Sequence, residues 1–314
     1  MTQSANTPRA PELEPLVAPW IEKLGAALDA LEAGRFDDLA AAREAYADWF
    51  VTRFPAPDGV TYEDYRAHGV PATRVRPDDT LPGRVLLYLH GGGYLAGEPR
   101  GYRGLVGRYA RGLWAEAVIP DYRLAPDARY PAAIDDNLAV YESLLKEGYD
   151  AGSIVVSGDS AGGAMAVALL VAARDAGLPL PAAAVAISPW ANLEHTGASI
   201  VTKAEADPLC TPEALRTMAA SYLGDNPLNS PLASPVFADV SGLPPVLIQV
   251  GEREIMLSDA VRLAEHLAAA QVRVNLEVWP GMPHVWHLFS EDLKDADAAL
   301  ESAVGFLDAR LPKA

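Results

Sequence analysis

Along the chain the apolar positions fall first into a helical rhythm and then into alternating strand-like and helix-like blocks. Leu13, Leu16, Val17, Trp20, Ile21, Leu24, Leu28 and Leu31 recur at three- and four-residue spacing, which lays them on one face of a helix, and Gly34 stops the run. A second amphipathic stretch, Leu39 to Phe50, ends ahead of Pro55 and Pro57. No strand precedes these two helices, so they cap whatever follows or pack on its outside. From Val60 the pattern changes. Thr73–Val75 and Val85–Leu89 read as strands, the second a continuous apolar run of the kind buried in a sheet on both faces.

Strand and helix signals then alternate. The strand candidates are Ala115–Ile119, Ile154–Ser157, Ala183–Ile187, Val246–Val250 and Val274–Val278. The helix candidates are Tyr102–Leu113, Ala132–Glu147, Ala161–Ala176, Leu257–Ala270 and Asp295–Leu311. Strands separated by helices of this length imply βαβ units and a mostly parallel sheet. One segment breaks the rhythm: Ser188 to Leu243 is studded with Pro and Asn and holds one clear helix, Pro212 to Tyr222. A connection that long inside a compact sheet is typically a functional insertion such as a lid.

Composition narrows the class of partner. The chain has 314 residues, 50% of them hydrophobic and 21% charged, an ordinary globular balance. Its net charge of −17, with 25 Lys plus Arg against 42 Asp plus Glu, excludes a nucleic-acid binder, which needs a basic face to neutralise phosphates. The lone cysteine, Cys210, can form no disulfide within the chain and reads as a free, partly buried thiol. Met1 to Pro19 lacks a basic run followed by an apolar stretch, so no secretory signal is expected there. No window reaches the ~18 uninterrupted apolar residues of a membrane helix. The expectation is a cytoplasmic protein with no membrane partner.

Two glycine-rich motifs carry chemistry. Gly158-Asp159-Ser160-Ala161-Gly162 is a G-x-S-x-G placed between the strand Ile154–Ser157 and the helix that opens at Ala161. Such a turn holds a serine Oγ above the sheet, and the helix N-terminus behind it offers free N–H groups to a developing oxyanion. The letters alone arise by chance in roughly one such chain in ten, and a glycine-rich turn can also serve packing or phosphate binding; the strand–turn–helix setting gives the motif its weight. His90-Gly91-Gly92-Gly93 follows the strand Val85–Leu89. Three consecutive glycines are tolerable where something must approach the main chain closely, and acyl transfer needs two or three N–H donors aimed at the carbonyl oxygen. His90 itself reads as a residue that hydrogen-bonds this loop.

A serine nucleophile needs a base. Of six histidines, His68 falls in the N-terminal hairpin region, His195 in the insertion, and His266 on a helix, expected exposed. His284 and His287 follow the last strand, at the carboxyl end where open α/β sheets put their sites. His284 directly follows a Gly–Pro loop and is the expected base, with His287 in the ensuing helix. The acid should come between serine and histidine in this order of elements. Gly251 to Asp259 follows the strand Val246–Val250 and holds three carboxylates, Glu252, Glu254 and Asp259; the residues themselves do not choose among them. Asp259 falls in the first turn of the next helix, where the helix dipole alone explains a carboxylate.

Over about residues 80 to 310 the chain resembles the bacterial hormone-sensitive-lipase-like esterases, a family with the α/β-hydrolase fold. The resemblance rests on His90-Gly91-Gly92-Gly93-Tyr94, Asp121-Tyr122-Arg123-Leu124-Ala125-Pro126, Gly158-Asp159-Ser160-Ala161-Gly162-Gly163 and Gly281-Met282-Pro283-His284. It implies an eight-stranded, mostly parallel sheet flanked by helices and a cap built from two pieces. The expected division is an N-terminal cap part over 1–55, a catalytic unit over 56–190 and 226–314, and a cap insertion over 191–225. It also implies an oxyanion hole from the N–H groups of Gly92, Gly93 and Ala161. Family members usually carry Asp-Pro-Leu-x-Asp at the acid, the first Asp being catalytic. Counting back without a gap from the helix at Leu263–Leu267 puts Glu254 on that position and Ser258 on the second Asp. Glu254 is therefore the expected acid, with Asp259 next and Glu252 last.

The activity so implied is hydrolysis of short- to medium-chain acyl esters by a Ser160–His284–Glu254 triad through an acyl-enzyme, with no metal and no cofactor, on a small-molecule ester. An amidase or N-deacetylase would use the same groups. A non-catalytic ligand-binding module on this fold is disfavoured by the presence of both Ser160 and His284. Trp20, Trp190, Tyr222 and Trp286 are candidates for pocket wall as well as for core, and a homodimer is possible.

Overall fold

The computed structural model describes residues 12–313; residues 1–11 of the expected N-terminal cap part, and with them most of the stretch searched for a secretory signal, lie outside the described residues. The described helices are α1 (Glu14–Glu32), α2 (Phe36–Arg53), α3 (Arg103–Leu113), α4 (Ala132–Lys146), α5 (Ala161–Asp175), α6 (Ser199–Thr202), α7 (Pro212–Leu223), α8 (Leu257–Ala269) and α9 (Lys294–Asp308). The strands are β1 (Val60–Ala67), β2 (Val70–Pro77), β3 (Val85–Leu89), β4 (Glu116–Pro120), β5 (Ile154–Asp159), β6 (Ala183–Ile187), β7 (Val246–Gly251) and β8 (Val274–Trp279).

The two leading helices form as their patterns require. α1 buries Val17, Trp20, Ala27 and Ala30 on one stripe and ends at Gly34, where φ is +65°. α2 starts with Asp37 and Asp38, ends with Arg53, and so complements its dipole at both ends while burying Leu39, Ala42, Tyr46 and Phe50. The Trp20 indole N–H donates to the Tyr46 hydroxyl at 3.0 Å, and Trp20 meets Phe50 edge-on. α1 packs on α2 and on α7, and the Thr217 hydroxyl of α7 donates to Glu32 of α1. Chain segments nearly two hundred residues apart thereby form one helical layer.

Behind that layer runs an eight-stranded sheet in the order β1-β2-β4-β3-β5-β6-β7-β8. β1 pairs antiparallel with β2 and β2 antiparallel with β4; the remaining pairs are parallel. Every residue of β3, β5, β6 and β7 is buried; β3 and β6 accordingly read as unbroken apolar runs, whereas β5 and β7 carry Ser157, Asp159 and Gln249 into the interior. β8, at the edge, alternates instead, with Leu276 and Val278 exposed. α5 lies against β3, β5 and β6 and is buried around its whole circumference from Ala161 to Ala173. Among the described residues no helix is long and apolar enough to cross a membrane.

Candidate active site

The carboxyl ends of β3, β5, β7 and β8 converge below the α1–α2–α7 layer, and each delivers one part of a site. β5 runs into Ser160, which adopts φ 57° and ψ −119°, a conformation costly for a residue with a Cβ. The turn is held on both sides: the Ser160 N–H donates to the Ile187 carbonyl at 2.9 Å, and the Ser160 carbonyl accepts from the Trp190 and Ala164 amides. The turn can be this tight only because Gly162 has no side chain; a Cβ there would overlap the Leu89 carbonyl. Ser160 is 8% exposed and faces a cavity of about 30 Å³.

The loop after β3 is fixed from beneath. Asp159, fully buried, accepts from the Tyr88 hydroxyl at 2.9 Å, the Gly91 N–H at 3.1 Å and the Tyr102 hydroxyl at 3.3 Å. Burial pushes its carboxyl up to about 6, against the pull of those donors and of His284. His90 is fully buried, stacks on Tyr122 at 4.1 Å and bonds the Gly91 carbonyl through Nδ1; burial lowers it to about 4. It is thus neutral and part of the scaffold of the loop. Gly92 sits at φ +107°, and a Cβ would run into the Ala96 carbonyl. The amides of Gly92, Gly93 and Ala161 donate to no acceptor among the described residues, and Gly92, Gly93 and Ser160 share the cavity wall.

The loop after β8 brings His284 to the same cavity, 2% exposed. Its Nδ1 lies 2.7 Å from Glu254 Oε2, in the turn between β7 and α8. The other carboxylate oxygen of Glu254 accepts from the Ser188 hydroxyl at 2.7 Å and from the Gly251 N–H at 2.6 Å, so the acid is fully engaged and 0% exposed. Ser188 Oγ also accepts from the Val285 N–H at 3.1 Å, and Val285, a β-branched residue, is held at φ 51°. With Nδ1–H donated to Glu254, Nε2 of a neutral His284 presents a lone pair. Burial works to lower the imidazole's affinity for a proton, but Glu254, Asp207 and Asp159 together outweigh it and hold His284 above its ordinary value. No hydrogen bond joins Ser160 Oγ to His284 among the described residues; such contacts commonly tighten only when substrate is bound.

The other candidates separate cleanly. Glu252 pairs with Lys203, away from His284. Asp259 does lie in the first turn of α8, but the helix-dipole account of it is corrected: it is 5% exposed and bonded by the backbone and side chain of Asn192, and burial pushes it up to about 8. Removal from water outweighs the dipole, and the group is largely uncharged at neutral pH. His266 is half-buried rather than exposed, its Nε2 bonding the Ala238 carbonyl. His287 is in a one-turn helix, fully buried, bonded to Gln249 and lowered by burial to about 3. His195 stacks on Trp190 and bonds its indole N–H at 3.1 Å.

Trp20 and Trp190 line the cavity with Leu24, Tyr46, Leu215 and Met218. Trp286 and Tyr222 do not: Trp286 packs with Ala296 and Ala299, and Tyr222 stacks on Tyr94 at 3.7 Å. Cys210 reaches the cavity, but burial and the nearby carboxylates Asp207 and Glu254 push its thiol well up, so it is a poor nucleophile. Among the described residues no cluster of three or more His, Cys, Asp or Glu side chains could hold a metal ion. Ser188 and Asp207 carry no motif; each is recognisable only through its hydrogen bonds.

Comparison with known proteins follows this geometry. Residues 86–288 match a protein family described as alpha/beta hydrolase fold. An acetyl-hydrolase of Streptomyces hygroscopicus is 45% identical over 225 residues, 72% of this chain and 75% of that protein. An esterase of Acinetobacter venetianus is 32% identical over 254 residues, 81% of this chain and 84% of that protein. The crystal structure of an esterase from the bacterial hormone-sensitive lipase family superposes with a TM-score of 0.88 at 38% identity, covering 98% of this chain and 100% of that one.

Proposed function

The chain belongs to the α/β-hydrolase family, on its bacterial hormone-sensitive-lipase branch, and is a serine carboxylester hydrolase; on that premise we propose that Ser160, His284 and Glu254 are its nucleophile, base and acid, and that it cleaves esters of short acyl chains. The observation that carries the triad is the 2.7 Å contact of His284 Nδ1 with a Glu254 that is itself locked by Ser188 and Gly251, beside a cavity shared with Ser160.

In this reading Ser160 Oγ attacks the ester carbonyl carbon while His284 Nε2 takes the hydroxyl proton. Glu254 holds the Nδ1–H tautomer and stabilises the imidazolium. The carbonyl electron pair moves onto oxygen, where the free amides of Gly92, Gly93 and Ala161 receive it, a positioning worth a few kcal/mol per donor. Collapse of the tetrahedral species expels the alkoxide, which His284 protonates. Water, deprotonated by His284, then adds to the acyl-enzyme, and collapse returns the proton to Ser160 and releases the carboxylic acid.

The chain-length reading rests on the size of the cavity. About 30 Å³ of cavity, open on one side, is walled by Trp20, Leu24, Leu215 and Met218, where a single water needs roughly 10–15 Å³. That accommodates an acetyl or slightly larger acyl group and not a long chain. The test is Ser160→Ala and His284→Ala against p-nitrophenyl acetate, with a series of esters from acetate to palmitate for the parent. Each variant is expected to lose activity by on the order of a thousand-fold or more with its fold retained. A folded Ser160→Ala protein that still turns over the acetate would end the triad proposal, and parent activity rising towards palmitate would end the short-chain one.

A further inference from the structure

Asp207 is a buried carboxylate that the proposed chemistry does not use. It lies in the insertion between α6 and α7 and is 7% exposed. Its Oδ1 accepts from the Leu209 N–H at 2.9 Å and the Cys210 N–H at 2.8 Å, closing a turn whose two residues both line the cavity beside Ser160. Its Oδ2 crosses to the turn between β7 and α8 and accepts from the Ile255 N–H at 2.9 Å, the amide directly after Glu254. The same two segments are stitched a second time: the Ser199 hydroxyl donates to the Ile255 carbonyl at 2.5 Å and accepts from the Ser258 N–H at 2.8 Å, while the Ser199 N–H donates to Ser258 Oγ at 2.9 Å.

Resting on the triad reading above, we infer that Asp207 is a positioning residue for that triad: it fastens the cavity wall at Leu209 and Cys210 to the loop that carries Glu254, and its negative charge helps hold the proton on His284. A carboxylate with three backbone donors and no ion pair among the described residues is an unusual thing to bury, since each of those N–H groups could be satisfied by a neutral acceptor. A charge-sensitive neighbour gives an acid here something to act on, and His284 is such a neighbour. Among the described residues, the other titratable groups around Asp207 include Cys210, itself beside Glu254, on the inner side, Glu14 of α1 and Glu205 where the segment meets solvent, and Lys203, whose carbonyl accepts from the Asp207 N–H and whose ammonium pairs with Glu252. Of the interactions that favour the ionised form of Asp207, the one with His284 is the largest. Burial pushes the carboxyl up to about 6, tempered by His284 and the three amides, so it is ionised at neutral pH.

An anion near the imidazole favours its protonated form, so Asp207 raises the pH below which His284 is lost as a base, and it stabilises the imidazolium formed in the reaction. Asp207→Asn keeps the shape and removes the charge. The acid limb of the kcat/KM–pH profile for p-nitrophenyl acetate is expected to move down by roughly 0.5–1 pH unit, less than the 1–3 units of a charge in direct contact. kcat at the optimum is expected to fall at least several-fold. KM is expected to rise for butyrate more than for acetate, because the Leu209–Cys210 turn loosens. Asp207→Ser, which retains an acceptor for the Leu209 and Cys210 amides without a charge, serves if the Asn variant does not fold. An acid limb unmoved in a folded, charge-free variant, with only its melting temperature lowered, would make Asp207 a purely structural residue. That outcome is separable from a failure of the triad itself: Ser160→Ala and His284→Ala inactive beside an unshifted Asp207→Asn overturns this inference alone.

Discussion

Replacing Glu254 by Gln isolates what its charge and orientation do for His284. In the parent, Oε1 accepts from the Gly251 N–H and the Ser188 hydroxyl, and Oε2 from His284 Nδ1. The Gly251 amide can only donate, so the glutamine must turn its carbonyl oxygen that way and its NH2 towards His284. An NH2 facing Nδ1 forces the imidazole proton onto Nε2, the nitrogen that accepts from Ser160 in the proposed mechanism. The variant therefore selects the wrong tautomer and also loses the anion that stabilises imidazolium. In the Ser-His-Asp template the corresponding change lowers kcat by about 10⁴, and 10³–10⁴ is expected here, or about 4–5.5 kcal/mol of barrier. Stability should change far less. Both bonds to Oε1 survive as neutral ones, which costs about 1–2 kcal/mol by the difference between charged and neutral hydrogen bonds. The assay is kcat/KM for p-nitrophenyl acetate across pH 6–9, paired with thermal unfolding. A folded Gln variant within ten-fold of the parent would refute the tautomer argument and return the acid to open competition.

Asp259→Asn should leave kcat near the parent value and change the pH dependence of stability instead. The parent carboxyl is pushed up to about 8, so its contribution is complete below the ordinary carboxylate range and is lost as pH rises through about 8; the Asn variant should hold its melting temperature better between pH 6 and 9, and parallel curves would contradict this. Met218→Ala removes a side chain that walls the cavity opposite Gly93. The ratio of hexanoate to acetate turnover should rise about ten-fold, in line with 1–3 kcal/mol per methylene of fit, and an unchanged ratio would place the acyl group elsewhere.

How much of this was legible in the sequence depended on how each residue meets its surroundings. β3 and β6 match their expected limits, Val85–Leu89 and Ala183–Ile187, because strands buried on both faces are apolar throughout and flanked by turn residues. β1 went unread: Thr61, Glu63, Asp64 and Arg66 face water on an edge strand, so Val60–Ala67 shows no apolar run. Ser160 was legible because an elbow requires glycines at fixed offsets. Glu254 was reachable only by counting from a helix, since a turn with three carboxylates carries no local mark of which one a distant histidine will meet. Ser188 and Asp207 left no trace, because their roles consist of hydrogen bonds to residues 66 and 48 positions away. The burial of Asp259 was hidden likewise, its partner Asn192 lying in the insertion.

The cavity beside Ser160 has walls of several origins. Gly92, Gly93, Ser160 and His284 sit at the ends of strands, whereas Trp20, Leu24, Tyr46, Leu215 and Met218 come from helices outside the sheet. On the proposed triad, the bond-breaking groups and these helical wall positions lie in separate stretches of the chain, with Trp190, Leu209, Cys210 and Met256 completing the wall from the loops between them. In the proposed mechanism, a substitution at Leu24, Leu215 or Met218 re-cuts the space for the acyl group without removing a proton-carrying side chain. On that reading, a mutational library confined to those five helical positions is expected to shift ester selectivity while Ser160 and His284 stay in place.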